Sequence, residues 1–285
     1  MWWKIAVGIV CLAVVAVLLL AVYGSRKWRT GTEEMRMALE NSRETPPVAV
    51  FDPAELDPLP PVVRRYFEVA LRPGQPIISA ASIEHTGTFS MSETEDQWRP
   101  FTSTQRVVTK RPGFLWDARI SMMPGLPAHV HDAYIGGQGL LHASLLGAIT
   151  VADMRDTPEM ARGELMRYFA ESAWYPTALL PSQGVRWEAA GDREARATLE
   201  DGAIRLTMLF RFTDDGLIES VYADERERVI GKDTELRPWE GRFSDYRRRD
   251  GMMIPMQGEV AWILPDGDKP YWRGTTERIS YEYSR

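Results

Sequence analysis

Ile204-Arg-Leu-Thr-Met-Leu-Phe-Arg-Phe212 sets Ile204, Leu206, Met208, Phe210 and Phe212 on one side of an extended chain, with Arg205, Thr207 and Arg211 on the other. A period of two is the mark of a strand with one buried face. The same habit runs outward in both directions. Ala195, Ala197 and Leu199 alternate with Arg196, Thr198 and Glu200, and Ile254, Met256, Gly258, Val260, Trp262 and Leu264 repeat it downstream. Between these runs stand Asp201-Gly202, Asp215-Gly216, Asp250-Gly251 and Asp266-Gly267. Asp-Gly supplies the positive φ angles of tight hairpins, so the second half reads as an antiparallel meander.

The first half, from Ile77, is divided by Arg111-Pro112-Gly113, Pro124-Gly125 and Gly136-Gly137. One short helix precedes the strands and another interrupts them. One is expected from Pro61 to about Leu71, with Val62, Val63, Tyr66, Phe67, Ala70 and Leu71 as its apolar stripe. The other starts at Pro158, capped by Asp156 or Thr157; Ala161, Leu165, Phe169 and Ala173 recur at four-residue spacing until Pro176 ends it. Strands plus packing helices give an α+β domain.

Ile5 to Tyr23 carries no charge and no proline. At about 1.5 Å per residue it reaches the roughly 30 Å of a bilayer's hydrocarbon core. Trp2, Trp3, Tyr23 and Trp28 flank it as headgroup-level rings do, with Lys4 at one end and Arg26, Lys27 and Arg29 at the other. A cleaved signal would have a shorter apolar core and a small-x-small site, which Leu20-Ala-Val-Tyr-Gly24 lacks. The expected organisation is a transmembrane anchor over 1–23, a connector over 24–47 with a short helix at Thr32–Glu40, and a β-rich soluble domain over 48–285.

Its cations put the Arg26 side in the cytoplasm, whereas large domains translocate largely regardless of flanking charge. Cys11 is the one cysteine, so the soluble part has neither disulfides nor thiol catalysis. The expectation is a single-pass protein of the inner membrane with an extracytoplasmic domain. The net charge of −6 argues against nucleic acid as a partner.

Gly163-Glu-Leu-Met-Arg-Tyr-Phe-Ala-Glu-Ser-Ala-Trp-Tyr-Pro-Thr-Ala-Leu-Leu-Pro181, then Val185-Arg-Trp187, resembles an uncharacterised bacterial family of membrane-anchored proteins. Arg111-Pro-Gly-Phe-Leu-Trp-Asp117, Asp132-Ala-Tyr134, Pro238-Trp-Glu-Gly241 and Asp250-Gly-Met-Met-Ile-Pro-Met-Gln-Gly-Glu-Val-Ala-Trp262 carry the resemblance further, over roughly residues 55 to 283. It implies an architecture and no particular activity. Phe243-Ser-Asp-Tyr246, Asp250-Gly251 and Ile254-Pro255 are also similar to the late hairpin of the periplasmic lipoprotein-carrier fold. That likeness implies a large curved antiparallel sheet, an open half-barrel with helices on its concave face and a hydrophobic ligand between.

Trp116, Tyr134, Tyr168, Trp174, Trp187 and Trp262, with Glu164, are the candidate ligand-binding residues. Broad aromatic faces with polar handles suit a lipid-like ligand, and the same rings suit a filled core. Glu164 falls beside the helical stripe that faces the sheet, so its carboxylate must be paired or neutralised; an arginine from a strand would serve. His129 and His131 share a strand face at metal-ligand spacing, but two ligands do not make a metal site. Asp132 points the other way. No nucleophile elbow, phosphate loop or zinc helix motif is present, and no cofactor is expected. The expected function is a membrane-tethered, non-catalytic module for a hydrophobic ligand. The alternatives are a hydrolase using Glu164 with a histidine or metal, and an interaction domain of the cell envelope.

Overall fold

The structure is a computed structural model describing residues 2–92, 97–230 and 233–284. Helix α1 covers Trp2–Ser42 and helix α2 Pro61–Ala70. Six strands follow: β1 (Ile78–Ser90), β2 (Trp98–Val108), β3 (Gly113–Met123), β4 (Leu126–Ile135), β5 (Gln138–Leu145) and β6 (Ile149–Arg155). Helix α3 (Pro158–Ala170) runs into 3-10 turns at Glu171–Trp174, Pro176–Leu179 and Pro181–Gln183. Seven more strands complete the chain: β7 (Arg186–Gly191), β8 (Glu194–Asp201), β9 (Ile204–Phe212), β10 (Ile218–Ile230), β11 (Asp233–Arg249), β12 (Met252–Leu264) and β13 (Gly267–Tyr283).

All thirteen strands form one antiparallel sheet in the order β6-β5-β4-β3-β2-β1-β13-β12-β11-β10-β9-β8-β7. Two meanders are joined through β1 and β13, and the α3 segment carries the chain from one edge, β6, to the other, β7. The four Asp-Gly dipeptides lie at or beside hairpin turns. At Asp250-Gly251 both residues have positive φ, 47° and 88°, the pair of angles a two-residue hairpin requires.

The sheet is strongly curved. β4 and β8 are third and twelfth in the order, so nine steps of about 4.8 Å would set them roughly 40 Å apart if it were flat. Yet the Tyr134 hydroxyl of β4 donates to Asp201 Oδ2 at the end of β8 over 2.7 Å. The result is an open half-barrel, with α2, α3 and the 3-10 turns on its concave side. The main core lies there, from Tyr66 and Phe67 of α2 through Phe114, Phe169 and Phe210 to Trp272.

A second, smaller core lies on the convex face, where Leu39 of α1 covers Ala80, Val108, Leu115 and Ala133. The helix expected at Thr32–Glu40 is the C-terminal part of one continuous α1, and its Trp28, Thr32 and Leu39 are buried against the sheet. One expectation needs correcting. Trp28 is no headgroup-level ring: it is 7% exposed, its indole N–H donates to Asp117 Oδ1 at 3.0 Å, and it stacks on His131 with centroids 3.8 Å apart. The N-terminal part of α1 is long and apolar enough to cross a membrane, by length and composition.

Candidate functional site: a cavity on the concave face

Helix α3 positions the site. Thr157 caps it, its hydroxyl accepting from the Met160 amide at 3.1 Å, and Pro158 takes the first turn. Because the helix lies inside the curve of the sheet, it buries more than one stripe: Ala161, Glu164, Leu165, Met166, Tyr168, Phe169 and Ala170 are all covered. Glu164, Arg167 and Glu171 follow one another at helical spacing and face a cavity of about 460 Å³ between α3 and the sheet.

The walls of this cavity are mostly apolar. Trp174 meets Phe243 edge-on with centroids at 5.4 Å and Trp272 at 6.3 Å. Trp262 stacks on Tyr271 at 6.0 Å, and the Tyr271 hydroxyl accepts from Trp239 Nε1 at 2.9 Å. Phe89 and the flexible or aliphatic side chains of Met91, Val151, Met154 and Met160 complete the other side.

At its floor lies a buried ionic cluster. Arg167 donates to Asp132 Oδ2 at 2.5 Å and to Glu171 Oε1 at 2.8 Å, with its guanidinium over the Trp116 ring at 5.0 Å. Glu171 Oε2 accepts from Gln105 at 2.6 Å. Arg226 of β10 reaches Glu164 Oε1 at 3.4 Å and lies over Trp239 at 4.7 Å. Burial, and after it the neighbouring Asp132 charge, push the Glu164 carboxyl well above the usual carboxylate range against the opposing pull of Arg226 and Arg167. Arg167 stays cationic: burial opposes its charge, but Glu171, Asp132 and Glu164 outweigh that.

Several polar atoms here have no hydrogen-bond partner: Glu164 Oε2, Asp132 Oδ1, Arg226 Nη1 and Trp116 Nε1. Buried polar atoms are normally satisfied, so a group of them around one cavity is an exception that needs a cause. A neutral Glu164 can donate its O–H to Asp132, a hydrogen bond that itself helps to raise the carboxyl, and Arg226 and Trp116 keep N–H donors without a partner.

Of the residues picked out in the sequence, Trp116, Glu164, Trp174 and Trp262 line this cavity. Tyr134, Tyr168 and Trp187 stand outside it. Tyr134 is spent on the Asp201 contact, the Tyr168 hydroxyl donates to the Thr109 carbonyl at 3.3 Å, and Trp187 packs against Phe210 at 5.0 Å with its N–H on the Leu179 carbonyl. Asp132, Arg167 and Arg226 belong to the site and were not picked out as ligand-binding residues. The alternation of β4 puts Asp132 opposite the histidines, and Arg167 is one turn from Glu164, so two of the three had a local signal.

His129 and His131 lie on the convex face with His142, all within ring contact of Trp28. Thr32 Oγ1 and His131 Nε2 are 2.7 Å apart. Burial, then His142 and His129, lower His131 to about 3. Among the described residues no group of three or more His, Cys, Asp or Glu is gathered as metal ligands would be.

No curated protein matches the chain. A LolA superfamily protein from Nitrosomonas europaea matches 78% of the chain and 92% of its own at 8% identity, with a TM-score of 0.41. A porin-like protein from Bacteroides uniformis matches 72% and 98% at 7% identity, with a TM-score of 0.25. Residues 57–281 match one family model over most of the chain's length: the protein belongs to the family of unknown function DUF6920.

Proposed function

We propose that the domain is a membrane-tethered, non-catalytic module that holds an apolar, lipid-like ligand in the concave cavity. The observation that carries the reading is the cavity itself: apolar aromatic and methionine walls over a floor of unpartnered polar atoms. An amphiphile satisfies both at once, its apolar part against Trp174, Trp262 and Val260 and its polar end at Glu164, Asp132 and Arg226. Residues 1–23 act as the anchor, at the inner membrane. The rigid helical continuation through residue 42 takes the place of a flexible connector ahead of the 48–285 domain. The domain takes an extracytoplasmic position in this reading, with which the lack of any cysteine after Cys11 is compatible.

The test uses the full chain reconstituted in phosphatidylcholine vesicles with a photoactivatable fatty acid. Peptide mass spectrometry is expected to place the crosslinks on Met154, Val260 and Trp262, and Ala143→Trp, which fills the cavity, is expected to remove them. Crosslinks confined to α1, or unaffected by Ala143→Trp, would contradict the reading.

A further inference from the structure

We propose that the tips of the β3–β4 and β5–β6 hairpins lie against the bilayer surface, so that the cavity opens directly onto lipid. This rests on α1 being a membrane anchor and on the cavity being an apolar-ligand site.

Helix α1 fixes where the bilayer is. Its backbone touches the β5–β6 hairpin at Gly24, where a Cβ would come within 2.1 Å of the Leu146 carbonyl oxygen and 3.0 Å of Ala148 Cβ. Only glycine permits that approach. From Gly24 the helix runs along the convex face to Leu39, beside Gly113 at the opposite end of β3. The uncharged stretch Ile5–Tyr23 therefore leaves the domain past the tip of the β5–β6 hairpin. The β3–β4 tip is level with it, since the Leu146 amide donates to the Pro127 carbonyl at 3.0 Å. Antiparallel pairing puts the C-terminal end of β1, at Phe89 and Ser90, at the same end of the sheet.

That end carries apolar side chains that the domain leaves uncovered. Met91 is 39% exposed, Ile149 50%, Val151 56% and Met123 60%. Met123, Ile149 and Val151 lie at, or within a few residues of, these two tips, and Met91 follows the end of β1. Met91 and Val151 also line the cavity, together with Phe89. Through Met91 and Val151 the apolar lining of the cavity reaches the end of the sheet where Met123 and Ile149 are exposed. Exposed apolar groups clustered beside a bilayer-crossing segment fit the interface between headgroups and acyl chains. Arg26, Lys27 and Arg29, directly after Tyr23, add cations at headgroup depth. A ligand leaving the membrane would then reach the cavity without crossing water.

The experiment places one environment-sensitive fluorophore at a time in the full chain, reconstituted in phosphatidylcholine vesicles containing lipids with a nitroxide near the headgroup or deep in the acyl chain. In a Cys11→Ser background, Met123→Cys and Ile149→Cys test the tips. Asp215→Cys, on the β9–β10 hairpin, is the reference. A fluorophore on native Cys11 tests the anchor alone. The expected result is blue-shifted emission at positions 123 and 149 with shallow-nitroxide quenching severalfold stronger than at 215, and deep-nitroxide quenching at Cys11. Quenching at 123 and 149 no stronger than at 215, with Cys11 still quenched, overturns this inference and leaves the anchor intact. A blue shift at the tips without nitroxide quenching overturns it in favour of contact between copies. An unquenched Cys11 overturns the anchor reading, and this inference with it.

Discussion

The two faces of β3 and β4 are built from alternate residues of the same short runs, yet their polar groups meet different fates. Asp117, facing outward, accepts hydrogen bonds from Trp28 at 3.0 Å and Thr32 at 3.3 Å. His131, also outward, is closed off by Thr32 and the Trp28 ring. Their immediate neighbours Trp116 and Asp132 face inward, and Trp116 Nε1 and Asp132 Oδ1 have no partner. On the convex face the protein's own helix supplies partners to Asp117 and His131, although a cavity of about 530 Å³ remains beside it. The concave face keeps open valences beside an open volume. A buried polar atom costs free energy unless it is satisfied, so the first arrangement serves stability, and the second is what the proposed ligand site would use.

The comparison is broken most severely at Trp28. Trp28→Ala removes a buried ring, leaves a cavity between α1 and the sheet and strips Asp117 of a donor; the expected loss is about 3–5 kcal/mol in urea denaturation. Fatty-acid crosslinking in the concave cavity should be unchanged in the molecules that remain folded. Equal loss of crosslinking at permissive temperature would mean that the two faces are not separable.

Acid should strain both faces, through one histidine on each. Burial, helped by the nearby histidines, lowers His131 to about 3 on the convex side. Burial, helped by Arg167, lowers His85 to about 3 on the concave side, where neither ring nitrogen has a partner. A base whose folded pKa lies below its unfolded value of about 6.5 binds protons preferentially in the unfolded chain. Stability therefore falls as pH drops from about 6.5 towards 3, by about 2 kcal/mol per histidine at pH 5. His131→Gln and His85→Gln should each flatten the stability–pH slope between pH 7 and 5 by about one proton. A slope unchanged in both variants would show that neither imidazole is buried neutral.

Much of this architecture was legible because its signals are local. Asp-Gly turn chemistry and period-two alternation announce the β8–β9, β9–β10, β11–β12 and β12–β13 hairpins within about ten residues, and the Thr157–Pro158 start announces α3. Glu164 stood out for the same reason, as a carboxylate beside an apolar helical stripe. What stayed hidden depends on distant partners. Trp28 sits among Arg26, Lys27 and Arg29 and so resembles a headgroup-level ring; only Asp117, 89 residues away, reveals that it is buried. Arg226 joins Glu164 across 62 residues. Tyr134, Tyr168 and Trp187 read no differently from Trp116 or Trp262, because period and composition say which residues face inward but not where a curved sheet leaves space unfilled.

The smallest expected effect is the most discriminating. If Glu164 were an ionised partner of Arg226, Glu164→Gln would break a buried ion pair and cost about 3–5 kcal/mol. With its carboxyl held neutral by burial and by Asp132, glutamine is nearly isosteric with the form already present. The variant should then lie within about 1 kcal/mol of the native chain at pH 5. The sign at higher pH follows from linkage. A carboxyl whose folded pKa exceeds its unfolded value keeps a proton that the unfolded chain gives up, so its contribution becomes less favourable as pH rises from about 4.3 through the folded value. Glutamine has no such proton. Relative to the native chain, Glu164→Gln should become progressively more stable between pH 5 and pH 8 in paired urea titrations. A progressive loss over that range would place a carboxylate at the cavity floor and remove the O–H donor assigned to it there.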